Sequence, residues 1–241
     1  MGEQRVDSAK TLEKIKSRGY WKVVIRPNQF RKELIGDISQ CLKIVEECRV
    51  KLRGWDYPHI GNKSPPYSGE DYVESVTDWD LHKEFWRMYQ SGQFLHLFGV
   101  HEDWFDEEES LFGHSKYYKQ VKPWSLLEVI MALYSFTEIY EFASRLSQKA
   151  SFGFLSISIT LHGMNGRQLG FFEVGRTLHA EYVCHVNEIS REREMHVETL
   201  LGKGKEISLD ETLEILKRFN WISPPREILK EDQRKLLEGL P

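Results

Sequence analysis

The spacing of apolar residues switches from helical to alternating, most clearly over residues 125–187. From Leu126 to Leu146 apolar side chains cover most of a helical circumference. Polar residues fall on one narrow stripe through Glu128, Ser135, Glu138, Glu141 and Arg145. This predicts a helix over 125–149, buried on more than one side. Ser125 followed by Glu128 has the form of a capping box, in which hydroxyl and carboxylate satisfy free amides at the helix start. Charges interrupt the run well short of the ~20 consecutive apolar residues of a membrane span.

The alternating pattern follows. Leu155, Ile157, Ile159 and Leu161 oppose Ser156, Ser158, Thr160 and His162, as in a strand with one dry face. Asn165-Gly166 fits a tight hairpin turn, with a return strand through Leu169, Phe171 and Phe172. Residues 178–187 alternate again, placing Cys184 and Tyr182 on one side and His179, Glu181 and His185 on the other. The apolar faces are expected against the 125–149 helix. The opposite face would then be polar and carry His162, His179, Glu181 and His185, as a wet surface or as a histidine-based site.

Earlier in the chain, residues 8–18 read as a short helix and YWKVVIRP (20–27) as a strand ending at its proline. A helical pattern over 35–48 and an alternation at 50–53 complete a strand–helix–strand unit over 20–57. Residues 78–89 carry Trp79, His82, Phe85 or Trp86, and Tyr89 at helical spacing, which predicts a helix with an aromatic core stripe. QFLHLFGV (93–100) is apolar on both faces and predicts an interior strand. Near the end, ISREREMHVE (189–198) alternates in part. Gly202-Lys203-Gly204 predicts a break, and Ser208 with Glu211 a second capped helix. Ser223-Pro224-Pro225 precedes a last helix over 226–237.

The fold class expected is α+β: a mainly antiparallel mixed sheet packed against a long buried helix, with an N-terminal strand–helix–strand unit and a C-terminal helical pair. The organisation expected is a core domain over 1–205 with a helical hairpin, 206–241, appended.

Charge adds a feature that hydropathy does not show. Residues 1–53 hold 13 Lys and Arg against 7 Asp and Glu, whereas residues 54–110 hold 3 against 13. Either the two stretches face each other, or the basic N-terminal third meets a polyanion such as nucleic acid. The formal net charge of −4 argues against a general nucleic-acid coat. Three cysteines form no CxxC pair. Cys41 and Cys48 are expected as buried thiols on one helix face, a usage that suits a reducing, cytoplasmic location. The opening MGEQRVDSAKTLEKIKSRG shows no apolar stretch of a secretory signal.

Chemistry is sparse. There is no HExxH, GxSxG, Walker A or calcium-loop pattern. Gly163-Met164-Asn165-Gly166 matches a GXXG loop, but lies between alternating strands rather than helices. The acidic cluster at 101–109 lacks the glycine and spacing of a calcium loop and reads as solvated. The loop 53–69 is rich in Gly, Pro and Ser, and concentrates Arg53, Trp55, Asp56, Tyr57 and His59. Aromatic and charged residues in a loop point to contact with a ligand or partner. The expectation is thus a soluble intracellular binding or regulatory protein without catalysis of its own. It would act through that loop and the polar sheet face, on a protein partner or small ligand, with no cofactor, metal or membrane. The alternative is a hydrolase or nucleic-acid-processing enzyme using His179, Glu181 and His185, with His162 nearby.

Overall fold

The computed structural model describes residues 8–61, 65–107, 121–173 and 175–240. Helix α1 (Ser8–Lys16) leads into strand β1 (Tyr20–Pro27) and helix α2 (Ile38–Cys48). Then come β2 (Tyr67–Ser68), β3 (Tyr72–Trp79), β4 (His82–Tyr89), β5 (Phe94–Gly99) and a single 3-10 turn at His101–Trp104. β6 (Leu126–Glu128) runs straight into α3 (Val129–Lys149). β7 (Phe154–His162), β8 (Gln168–Gly170), β9 (Glu188–His196), α4 (Val197–Lys217) and α5 (Arg226–Glu238) complete the chain.

Seven strands form one sheet in the order β2-β3-β4-β5-β1-β7-β9. Every neighbouring pair in it is antiparallel. The parallel contribution is confined to the short pair β6–β8, outside this sheet. The fold is α+β, with a buried helix on the sheet. α3 lies on the inner face, where Phe136 meets Trp21 edge-on with centroids 5.2 Å apart and Phe142 meets Phe94 at 4.6 Å. α4 and α5 add Leu209, Leu213, Leu216 and Leu229 to the same core. Cys41 and Cys48 share the buried side of α2 as free thiols, and burial raises both to about 11.

The outer face is divided. α1 seats Ile15 on Val76, Phe85 and Leu97, so the β3–β5 end is covered. Over β1, β7 and β9 it is wetter, with Glu188, Ser190, Glu192 and Glu194 exposed. Part of the charge asymmetry is resolved here. Lys14 pairs with Asp78 at 3.0 Å and Arg18 with Asp106 at 2.5 Å, joining the basic N-terminal stretch to the acidic one.

Several expected elements are corrected. Residues 78–89 are not a helix but the end of β3 and all of β4, joined at Asp80, which sits at φ 50°. The aromatic positions that fit a helical period also fit a strand buried on both sides. Trp86 and Met88 face the main core, on the side where α2 packs on β3 and β4, whereas Phe85 faces α1. The alternation at 50–53 makes no strand; Val50 forms one isolated bridge to Tyr57. α3 starts at Val129 rather than Ser125, because residues 126–128 pair with β8 and Glu128 becomes the N-cap, accepting from the Met131 amide at 2.5 Å. β7 does not turn back on itself at Asn165-Gly166; its partners are β1 and β9. Residues 178–187 are irregular, with one bridge between Gln168 and Val183. The Gly202-Lys203-Gly204 break is absent, since α4 passes through it, and Ser208 lies buried in mid-helix with its hydroxyl donating to the Lys205 carbonyl at 2.9 Å. The helical pair therefore begins at Val197, and a division at 205/206 falls inside α4.

Candidate functional site

A cavity of about 570 Å³ opens between the ends of β4 and β5, the first turns of α3 and residues 53–57. Its outer wall is the loop that follows α2. The loop is pinned at its base by Val50 and Tyr57, whose amides each donate to the other's carbonyl at 2.8 and 2.9 Å. Arg49 holds Asp56 from outside at 2.9 Å. Arg53 reaches inward and binds both oxygens of Glu138 on α3, Nε to Oε1 at 2.9 Å and Nη2 to Oε2 at 2.6 Å. Glu138 belongs to the polar stripe of α3, and it lines the cavity. Ser135, one turn earlier, also lines it.

Trp55 is the central piece of the loop. Its ring is sandwiched between His59, with centroids 3.7 Å apart, and His82 at 3.6 Å. Trp79 lies beyond at 5.7 Å and is 53% exposed, so it stands at the mouth. The Trp55 indole N–H donates to Oε1 of Glu84. Glu84, on β4, is buried, and its Oε2 also meets His96 Nε2 at 3.2 Å and the His59 amide at 3.3 Å. Burial by itself would raise this carboxyl, but the His96 contact, the nearby His82 and the Trp55 donor outweigh it. Glu84 is held well below the ordinary carboxylate range, as hydrogen bonds to the charged form require.

Two other groups are displaced the opposite way. Burial pushes His82 down to about 4, so its imidazole is neutral at pH 7. Burial raises Glu102, in the 3-10 turn, to about 7; the neighbouring Glu128 adds to this, and a hydrogen bond from the Glu128 amide at 2.6 Å opposes it. Tyr57 and His96 carry a second feature. Both side chains are buried and line the cavity, and the Tyr57 hydroxyl and His96 Nδ1 have no hydrogen-bond partner among the described residues. Leaving such atoms unsatisfied costs about 1–3 kcal/mol each. No group of three or more His, Cys, Asp or Glu able to hold a metal ion occurs among the described residues.

The residues expected from sequence divide into two sets. Arg53, Trp55, Asp56 and Tyr57 line the cavity, and His59 backs Trp55. In the rest of the 53–69 loop, residues 62–64 fall outside the described residues, and Tyr67–Ser68 pair with the sheet edge. His179, Glu181 and His185 do not share a sheet face. All three are exposed in the irregular segment, and no hydrogen bond, ion pair or ring contact joins them to one another or to His162. His162 sits at the end of β7, stacked on Tyr20 at 4.3 Å and 3.2 Å from Glu188. The alternation that grouped these histidines holds in β7 but not in 178–187, where chain geometry is set by backbone bonds such as Cys184 N to Arg167 O at 2.9 Å.

Glu84, His82, His96, Glu102, Glu138 and Trp79 are among the cavity residues that the sequence did not single out as a site. A signal existed for two of them. Glu84 lies among aromatic residues and His96 in a strand apolar on both faces, and an ionisable group in such a place requires a partner. Glu138 carried a weaker signal as a charge on a helix expected to be buried nearly all round.

Comparison with protein-family models, with characterised proteins and with solved structures gives no match for this chain. Among the described residues no helix is long and apolar enough to cross a membrane.

Proposed function

We propose that this chain is a small-molecule-binding protein, without catalysis of its own, whose ligand occupies the cavity under residues 53–57. The observation that carries the reading is the coincidence of the aromatic loop with that cavity. Four of the five residues singled out by composition alone line it, and the fifth supports Trp55. Its volume, about 570 Å³, lies within the roughly 300–1,000 Å³ of small-molecule sites, which join apolar walls to a few placed polar groups. The exposed Trp79 gives an entrance that a ligand ring can cover. The Glu84–His96 pair supports a binding role over proton transfer, because the carboxylate is already taken by three donors. A reducing compartment fits three buried, unpaired thiols.

The test uses the full chain. Purified protein is mixed with a small-molecule extract, separated by gel filtration, and the retained compounds are identified by mass spectrometry. Wild type retains at least one compound stoichiometrically. Gly54 lines the cavity and a Cβ there meets nothing within 4 Å, so Gly54→Trp, which adds an indole at this rim, is expected to block the mouth and lose it, with an unchanged urea midpoint showing that the variant is folded. Equal retention by wild type and Gly54→Trp removes the cavity from consideration.

A further inference from the structure

We infer that the occupant of this cavity is an uncharged molecule, with at least one ring and a neutral hydrogen-bonding group such as an amide or a hydroxyl. The inference rests on the binding role of the cavity and adds the chemical class of its ligand.

The first support is that the protein already engages the charged residues of the wall. Arg53 directs Nε and Nη2 to the two oxygens of Glu138, and its Nη1 lies 3.4 Å from the Met131 sulfur. Glu84 accepts from the Trp55 indole and the His59 amide and meets His96 Nε2. Asp56 is held by Arg49. Lys83, with 3% of its side chain exposed, is held by Asp78 at 3.1 Å and by the Asp80 carbonyl. Asp80 is not free either. Glu102 accepts from the Glu128 amide at 2.6 Å, and burial raises it to about 7, so about half of it is uncharged at neutral pH. His82, pushed down to about 4 by burial, is neutral there.

A charged ligand therefore finds no free counter-charge. An anion gains Arg53 only by separating it from Glu138, which leaves a carboxylate 2% exposed without its partner. A cation gains Glu138 only by the reverse exchange, and Glu84 only by displacing its donors. Taking an ion out of water without a partner is the costly case, and an uncharged molecule avoids it.

The second support is what remains of the wall. Trp21, Leu81, Phe98, Leu127, Met131 and Ala132 give it apolar surface, and Trp79 offers an open indole at the mouth. The polar groups left among them carry no charge. The Ser135 hydroxyl on α3 and the neutral His82 ring line the cavity, and the Tyr57 hydroxyl in the same wall has no hydrogen-bond partner among the described residues. Such groups orient an amide or a hydroxyl without requiring a charge from it. A volume of about 570 Å³ suits a ring system of ordinary small-molecule size.

The experiment uses two matched triplets: benzamide, benzoate and benzamidine, and the corresponding amide, carboxylate and amidine of 2-substituted naphthalene. Within a triplet the ring is constant and only the charge changes. Binding is read by isothermal titration calorimetry and thermal shift. The expected result is that the amide of at least one triplet binds, and exceeds both charged members by at least about tenfold in affinity. A carboxylate or amidine that binds as tightly as its amide overturns the proposal, and so does the absence of binding by both amides. Two variants test the cause. Arg53→Ala frees Glu138 and should raise the affinity for the amidine, relative to the amide, at least about fivefold. Glu138→Gln frees Arg53 and should favour the carboxylate by a similar factor. Urea denaturation shows which variants are folded; if one is not, the other carries this arm, and the wild-type triplets decide by themselves if neither is. An unchanged preference in a folded variant means that the pairing does not exclude ions, and overturns the proposal. The retention experiment stays separate. A charged compound retained by wild type and lost in Gly54→Trp leaves the cavity reading standing while this inference falls, whereas equal retention by both proteins removes the two together.

Discussion

Arg53 and Glu138 are 85 residues apart in sequence and meet through two parallel hydrogen bonds, Nε–Oε1 at 2.9 Å and Nη2–Oε2 at 2.6 Å. This pair closes the loop after α2 onto α3 and makes one wall of the cavity. The Glu138 carboxylate is nearly inaccessible, with 2% of its side chain exposed, whereas Arg53 keeps 26%. Burial raises the Glu138 carboxyl, and the guanidinium opposes that shift. Removing Arg53 therefore strands a buried charge, which is the costly way to break such a pair. Arg53→Ala is expected to cost about 2–3 kcal/mol, somewhat below the range for a fully buried pair because Arg53 is partly solvated. The double variant Arg53→Met with Glu138→Leu should recover most of it. Urea denaturation of the three proteins measures this, and a double variant as unstable as Arg53→Ala would show that the pair is not what matters.

Trp55 and Trp79 separate folding from binding. Trp55 supplies a hydrogen bond to Glu84 and fills the space between two imidazoles. Trp55→Phe retains a ring but removes the donor, and leaves one carboxylate oxygen short of a partner, which is expected to cost about 1–3 kcal/mol. Trp79 is half exposed, and surface substitutions of its kind usually stay within about 0.5 kcal/mol. Trp79→Ala should thus unfold at a nearly unchanged urea midpoint while losing ligand. A fall in stability of Trp79→Ala equal to that of Trp55→Phe would assign both indoles to the core.

Glu102 makes stability depend on pH in a particular direction. Its carboxyl is raised in the folded protein from 4.5 to about 7, chiefly by burial. Between those values the folded state holds a proton that the unfolded state has released, so the stability it contributes is full below about 4.5 and is lost as pH rises through about 7. Glu128 faces it and is raised to about 7 as well, while Arg167 opposes the shift in Glu102. Glu102→Gln keeps an oxygen for the Glu128 amide and removes the titration. It should flatten the decline of melting temperature between pH 5 and pH 8 and gain, relative to wild type, on the order of 2–3 kcal/mol at the alkaline end. Parallel melting curves of wild type and variant across this range would exclude Glu102 as the titrating group.

A separate ionic node tests the frame behind the cavity. Arg167 and Asp103 both have 0% exposed side chains, and Arg167 Nη1 meets Asp103 Oδ1 at 2.8 Å. Asp103 also accepts from the Gly19 amide at 2.8 Å and the Trp124 amide at 2.7 Å, while Arg167 donates from Nε to the Gly163 carbonyl at 2.6 Å. Four separate stretches of chain thus converge on two side chains. Arg167→Met leaves Asp103 charged and dry, and is expected to cost about 3–5 kcal/mol. A loss under 1 kcal/mol in urea would mean that water reaches Asp103.

What the sequence reveals and what it hides follow from the range over which each interaction acts. β1, β5, β7 and α2 were legible because each buries one clear face, or two, and the period survives in the side chains. Strands β3 and β4 were not, because Trp79, His82, Phe85, Trp86 and Tyr89 satisfy a helical and a two-sided strand pattern equally; only pairing with β5 and the cover of α1 decide between them. The segment 178–187 failed in the opposite way. It alternates, yet the β7 edge it was expected near is taken by β9. The loop half of the cavity was legible from Arg53, Trp55, Asp56 and Tyr57, since composition marks a loop that does more than connect. The other half was not, because Glu84, Glu102 and Glu138 come together only through strand register and the entry of α3.

The continuity of α4 through Gly202-Lys203-Gly204 leads to the last prediction. Glycine in a helix interior costs roughly 0.5–1 kcal/mol against alanine, mostly as backbone entropy. Two glycines two residues apart are read from sequence as a stop for that reason. Here the neighbours override it. On one side of the pair Leu200 is buried; on the other, Arg191 and Arg193 of β9 both reach the buried Glu211, Arg191 at 2.6 Å, and fix the second half of the helix to the sheet. A Cβ on Gly202 meets nothing within 4 Å, and one on Gly204 meets only Leu200 Cδ1 at 3.5 Å, ordinary contact. Neither glycine has a positive φ, so alanine fits the backbone at both positions. Gly202→Ala should stabilise the protein by about 0.5–1 kcal/mol, and the double variant with Gly204→Ala by nearly twice that. Chemical denaturation at fixed pH reads both. A loss of stability in Gly202→Ala would mean that the chain leaves the helix at this point, and that the expected break was correct.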